Sequence, residues 1–318
     1  MSKPWTEKYR PTKLTNIIGQ SLILDLLRKS LKERIKPPHL LFYGQPGIGK
    51  TTTILSFCYE YYTPEELPKY VLEINASNDK GINTIKTTIN SFLSVNRNNK
   101  FKVLILDEAD AMTQEAQTAL RKKMEYATNT LFCIICNNPN KIIPALISRT
   151  KQFEFKPLSN NILVEHLKRI YYKEFNKNLI TNEEDINNLM NNIVSLINGD
   201  LREGINILQN LKYVITNNKE KNKKLIYGMK GLMPINELKN LINEIKNINN
   251  SNENSKEEII NIYNKFIITN YSIKIIIKQI LDNKLVENKY YNKLIKLLDN
   301  EIENDIIVYR FIFILMKK

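Results

Sequence analysis

The stretch HLLFYGQPGIGKTT, residues 39–52, decides how this chain is read. A short apolar run, His39 to Tyr43, enters Gly44-Gln45-Pro46-Gly47-Ile48-Gly49-Lys50-Thr51, which fits the pattern G-x-x-x-x-G-K-[ST], and a helix-like segment follows from Thr51 to about Tyr61. Strand, glycine loop and helix in that order let backbone N–H groups converge on phosphate oxygens, and the helix N-terminus adds positive potential. Lys50 then reaches the β and γ phosphates of a nucleoside triphosphate, and Thr51 coordinates Mg2+. A plain glycine turn would leave Lys50 unexplained.

Working outward, four more apolar runs end at similar spacing: Val71 to Asn75, Lys102 to Asp107, Leu131 to Asn137 and Lys151 to Phe155. Runs of this length, separated by helical segments, predict strands buried on both faces, hence an α/β fold with a parallel five-stranded sheet wrapped by helices. The third run closes on Asp107 and Glu108. A carboxylate at a strand end holds Mg2+, and its neighbour polarises a water for attack on the γ phosphate; we assign these roles to Asp107 and Glu108 in turn. The continuation Asp107-Glu108-Ala109-Asp110 also fits a DEAD-type RNA helicase, but such enzymes need a second motor domain, and residues 158–318 read as helix throughout. Asn137, at the end of the next run, is placed to orient the water or sense the γ phosphate. Cys133 and Cys136 form C-x-x-C without a second pair or a nearby His, and residues three apart on a strand face opposite ways, so both read as core thiols. His39 and His166 show no catalytic or metal pattern.

The strand signal stops at Pro157, and beyond it apolar residues recur at helical spacing. A second break is expected between Thr216 and Lys224, in the polar and basic run TNNKEKNKK. The expected domains are therefore 1–157, 158–224 and 225–318. The length of 318 residues suits two or three domains, and 42% hydrophobic with 25% charged residues suits an ordinary core rather than disorder. Forty-seven basic against thirty-three acidic residues, a net charge of +14, makes polyanions the first partners to consider. No run approaches the length of a membrane span, so no membrane role is expected, and three cysteines exclude a disulfide scaffold. Asn clusters after residue 175 have a compositional cause and no assigned function.

WTEKYRP at 5–11, LLFYGQPGIGKTT at 40–52, NASNDKGI at 75–82, LILDEADAMTQEAQTALRKKME at 104–125 and ICNNPNKIIPALISRT at 135–150 together resemble the small subunits of replication factor C, the AAA+ ATPases of the sliding-clamp loader. The resemblance is dense to about residue 157 and thinner to about 212. It implies an AAA+ domain followed by an all-α lid and an all-α collar that oligomerises. It places Tyr9, Arg10 and Pro11, with Ile17 and Ile18, near the adenine. Gly44, Gln45, Pro46, Gly47, Ile48, Gly49, Lys50, Thr51 and Thr52 correspond to the phosphate loop, Asp107 and Glu108 to Walker B, and Asn137 to sensor 1. Arg149 corresponds to the arginine of a Ser-Arg-Cys box that acts in trans on a neighbour's ATP; here the third residue is Thr150, a departure. Arg202, in Gly199-Asp200-Leu201-Arg202, corresponds to sensor 2. Independently, Asp200 is a good N-cap, and a cation in a helix's first turn is disfavoured by the dipole unless an anion meets it.

The resemblance also marks Lys80 and Lys86 as contacts to the phosphate backbone of primer-template DNA, which would be salt-sensitive and indifferent to sequence. Ile89, Phe92 and Leu93 form one helical patch and resemble the family's wedge for the sliding clamp PCNA, although such a stripe equally suits a core. The expected function is that of an ATPase subunit in a nuclear hetero-pentamer with other replication factor C subunits. It would use ATP and Mg2+ to open the clamp and load it on DNA during replication and repair. The alternative is a nucleotide-binding scaffold subunit with little hydrolysis of its own.

Overall fold

The computed structural model describes residues 3–77, 82–95, 100–175, 182–248, 255–269, 271–299 and 304–316. Five strands, β1 (Leu40–Tyr43), β2 (Val71–Asn75), β3 (Lys102–Asp107), β4 (Thr130–Cys136) and β5 (Lys151–Glu154), form one sheet in the order β2-β3-β4-β1-β5. Every neighbouring pair is parallel, with Leu40 opposite both Cys133 and Lys151 and Asn75 opposite Asp107. Each strand falls within a residue of its apolar run.

The pleat sorts side chains into two cores. Phe42, Ile105, Leu131, Cys133 and Ile135 pack with Ile54 and Phe57 on one face; Leu41, Leu104, Leu106, Phe132, Ile134 and Cys136 pack with Leu120 and Met124 on the other. Cys133 and Cys136 are thus buried on opposite sides, as the C-x-x-C spacing on a strand requires, and burial pushes the Cys136 thiol up to about 12. The expectation of two buried faces holds for β1, β3 and β4. It fails for the two edge strands: β2 has no fully buried residue and exposes Glu73, and the four-residue β5 exposes Lys151 and Glu154, which keeps both sheet margins in water.

In chain order the helices are α1 (Trp5–Lys8), α2 (Ser21–Glu33), α3 (Lys50–Tyr61), α4 (Leu67–Tyr70), α5 (Ile82–Ser94), α6 (Gln114–Tyr126), α7 (Pro144–Ile147), α8 (Asn160–Glu174), α9 (Glu183–Val194) and α10 (Leu201–Leu211). They continue with α11 (Lys219–Met229), α12 (Ile235–Asn247), α13 (Ser255–Thr269), α14 (Ile273–Asp282), α15 (Asn288–Asp299) and α16 (Asn304–Met316). After β5 the described residues contain helix and no strand.

Two compact units result. The first comprises Met1–Ile170 with Ile197–Asn206, so it includes the whole sheet, most of α8 and the start of α10. The second comprises Tyr171–Leu196 with Ile207–Lys318. Its core gathers Leu238, Ile245, Ile276, Ile277, Ile280, Leu294, Ile307, Phe311 and Ile312 from α12, α14, α15 and α16. Of the run TNNKEKNKK, expected as a break, residues 216–218 lie between α10 and α11 and residues 219–224 open α11. The Asn218 side chain caps that helix by accepting from Lys221 N–H at 3.0 Å, and buried Asn222 donates to Thr216 C=O at 2.6 Å. Among the described residues no helix is long and apolar enough to cross a membrane.

Candidate nucleotide site

The glycine loop leaves β1 at Tyr43 and turns into α3 at Lys50. Two of its glycines have no room for a side chain. A Cβ on Gly44 would stand 2.4 Å from the Phe155 carbonyl oxygen, and one on Gly47, at φ +72°, would stand 1.8 Å from the Asp200 carboxylate. Lys50 is only 7% exposed, and its ammonium donates to the carbonyls of Gly44 (2.6 Å) and Gln45 (2.7 Å) and to Asn137 Oδ1 (2.9 Å). Burial lowers the Lys50 pKa, with the carboxylates of Asp107 and Asp110 opposing that effect and Arg202 adding to it.

Next to the lysine, the Thr51 hydroxyl donates to Asp107 Oδ2 at 2.6 Å, and the other Asp107 oxygen accepts from Glu108 N–H at 2.9 Å. Glu108 adopts a left-handed backbone, φ +52°, where the chain turns off β3 into a turn of 3-10 helix at Ala109–Ala111. Such a conformation is uncommon for a side chain of this kind and is fixed here by the turn that follows the strand. Asp110 then accepts from the N–H groups of Asn137 (3.4 Å) and Asn138 (3.3 Å), tying the end of β4 to the end of β3.

These groups share one cavity. Tyr9, Arg10, Pro11, Ile17, Ile18, Pro46, Gly47, Ile48, Gly49, Lys50, Thr51, Thr52, Asp107, Glu108, Asn137 and Arg202 all line it. Gly44 and Gln45 contribute through the carbonyls that hold Lys50. The N-terminal segment is secured by Ser56, whose hydroxyl donates to Pro11 C=O at 2.9 Å, and by Leu14 N–H bonded to Glu60. Arg202 sits in the first turn of α10, which Asp200 caps by accepting from Glu203 N–H at 3.0 Å. A carboxylate that both caps the helix and fills the space above Gly47 fixes Arg202 relative to the loop.

Thr6, Asn16, Leu158, His166, Leu201 and Ile205 also line the cavity and were not expected. His166 lies on α8 with no motif around it; only the packing of that helix brings it to the site. Asp110 was likewise missed as a site residue, because its partners are backbone groups 27 and 28 residues away.

Arg149 lies outside the cavity, just beyond α7. It is 38% exposed, donating to Ala145 C=O at 3.0 Å and to Glu125 Oε1 at 2.7 Å. Lys80 lies outside the described residues; Lys86 falls on α5, and its side chain lies outside them as well. The docking patch needs correcting. Ile89 is 6% exposed and belongs to the core beneath α5, so it is not available as a docking side chain; Phe92 and Leu93 are half-buried against the same core. A stripe facing the sheet is what an amphipathic helix on an α/β layer requires.

The chemistry of the donor set suits a nucleotide and a hard cation. A hydroxyl and a carboxylate oxygen within 2.6 Å of each other are the ligand type that Mg2+ takes beside phosphate. A buried ammonium next to a helix N-terminus suits the phosphates themselves.

The family described as "ATPase family associated with various cellular activities (AAA)" matches residues 40–158. The chain is 46% identical to replication factor C subunit 5 of Homo sapiens over 209 residues, 65% of this chain and 59% of that protein. It is 42% identical to replication factor C subunit 3 of Saccharomyces cerevisiae over 217 residues, 67% of this chain and 61% of that protein. The match thus spans about three-fifths of the length of these relatives. Among solved structures, the Thermotoga maritima RuvB Holliday junction branch migration motor superposes with a TM-score of 0.55 at 18% identity, covering 75% of this chain and 80% of that one. At that identity the likeness concerns the fold alone.

Proposed function

We propose, for a chain that carries an AAA ATPase domain and is related to replication factor C small subunits, that it is an ATPase subunit of a sliding-clamp loader. The observation that carries this reading is the junction of three strand ends on one loop: Lys50 with Asn137 and Thr51 with Asp107, in a cavity that also contains Glu108 and Arg202. The KIIPAL wording at 141–146 supports the slot of the subunit numbered five in animals and three in budding yeast.

ATP would lie with its base near Tyr9, Arg10, Pro11, Ile17 and Ile18 and its phosphates along Gly44 to Thr52. Mg2+, held by Thr51 and Asp107, would neutralise charge on the phosphate oxygens. Lys50 would exchange its carbonyl partners for β and γ phosphate oxygens. Glu108 would accept the proton of the attacking water, oriented by Asn137, as the bond from the γ phosphorus to its bridging oxygen breaks. Arg202 in cis and an arginine from a neighbour would meet the charge that develops. Arg149 would serve the next subunit in the same way, and such a group is worth about 10³ to 10⁵ in rate.

In this reading residues 1–157 form the AAA+ module, 158–224 a lid and 225–318 a collar in a nuclear hetero-pentamer. ATP would favour the state that grips the clamp and primer-template DNA, and hydrolysis would release both. Lys80 and Lys86 would contact the DNA backbone, and the exposed edges of Phe92 and Leu93 would face the clamp.

Calorimetric titration of Mg-ATP into the chain tests the site itself. Lys50→Ala should weaken binding at least about tenfold, a buried charge-assisted contact being worth about 1.5 to 3 kcal/mol. Equal affinity of the two forms would remove the basis of the proposal.

A further inference from the structure

We infer that Glu125 is a positioning residue for Arg149, holding its guanidinium in the orientation in which it is offered to a neighbouring subunit. The inference rests on the reading of Arg149 as an arginine supplied in trans. Arg149 follows α7, a helix of one turn, which offers its side chain a single carbonyl, that of Ala145. The second anchor comes from α6. Glu125, in the last turn of α6, accepts from Arg149 Nη2 at 2.7 Å, within the range of a charge-assisted bond, while Nη1 donates to Ala145 C=O at 3.0 Å. Two points fix the plane of the guanidinium, and the rest of its donor fork remains for an anion.

The same helix holds the chain that leads to Arg149. Gln117 is 1% exposed; its amide donates to Lys141 C=O at 2.9 Å, and its carbonyl accepts from Ile143 N–H at 2.8 Å. Gln117 and Glu125 are therefore two anchor points on one α6 for the segment from Lys141 to Arg149. Glu125 also has Arg121 Nε at 3.9 Å. Two guanidinium groups thus face one carboxylate, and the locality stays positive toward an incoming phosphate. An ion pair this exposed adds little to folding stability. What it supplies is orientation, and misplacing a catalytic group by about 1 Å costs up to roughly 10² in rate.

The test is a double-mutant cycle in the assembled loader containing this chain, reading kcat for ATP hydrolysis and the thermal midpoint. Glu125→Ala keeps a good helix former on an exposed face, so the midpoint should hold. The turnover of the one site that Arg149 faces should fall roughly tenfold in Glu125→Ala and further in Arg149→Ala, and the double variant should match Arg149→Ala alone. An undiminished kcat in Glu125→Ala, or a loss that multiplies in full on the Arg149→Ala background, would overturn the positioning role while leaving Arg149 in place. An Arg149→Ala complex with normal kcat would overturn both readings.

Discussion

His39 shows how one residue couples burial to pH. Its ring packs edge-on against Phe132, and Nδ1 accepts from Phe132 N–H at 3.2 Å, a bond that only the unprotonated nitrogen can make. Burial, reinforced by the charge of Lys36, pulls its pKa from 6.5 down to about 4. In the unfolded chain the same imidazole takes a proton near pH 6.5. Between those values the unfolded state binds more protons, so this group's contribution to stability is present above pH 6.5 and lost as pH falls toward 4. His39→Gln should therefore lose less stability between pH 7 and pH 5 than the parent chain in urea melts; parallel losses would contradict the assignment. Nothing in the sequence around His39 announces this. The grouping around the glycine loop, by contrast, was legible, since Lys50 and Thr51 close the G-x-x-x-x-G-K-[ST] pattern that follows one apolar run, and Asp107, Glu108 and Asn137 stand at the ends of two others. Asp110, Gln117 and His166 were not legible, because their partners are backbone groups or helices brought near only by the tertiary fold.

Among the elements, α5 is the one whose placement the sequence left open. Its apolar stripe read equally as core or as docking wedge, and burial of Ile89 settles that position for the core. The far end of this helix is held by an unusual device. Lys102, 4% exposed at the first position of β3, donates its ammonium to the carbonyls of Phe92 (2.6 Å) and Leu93 (3.2 Å), with the Phe92 ring 5.1 Å from the charge. Carbonyls in a helix's last turn lack intrahelical donors, and a cation there also meets the negative end of the dipole. Lys102→Met should destabilise the first unit by about 1 to 3 kcal/mol and speed amide exchange in the last turn of α5 well beyond the global effect. Uniform exchange changes across the sheet would show instead that Lys102 serves the core as a whole. The strands were the most legible elements, because central parallel strands are read as unbroken apolar runs. The helix α11 was misread, because its Lys- and Asn-rich first turns carry no apolar period and owe their start to the Asn218 cap.

For the whole molecule, one cavity gathers every group but one that the proposed reaction needs. Lys50, Thr51, Asp107, Glu108, Asn137 and Arg202 are gathered within the first unit, whereas Arg149 lies outside that cavity, on the same unit's surface beside Glu125. The fold class was legible because strand spacing and the phosphate loop specify it. The most direct measurement is steady-state ATP hydrolysis by the isolated chain and by the proposed complex that contains it. Turnover should be negligible for the isolated chain, although it should bind Mg-ATP, and should rise on assembly by a factor that Arg149→Ala removes at one site. Brisk turnover by the isolated chain, untouched by Arg149→Ala, would contradict the account.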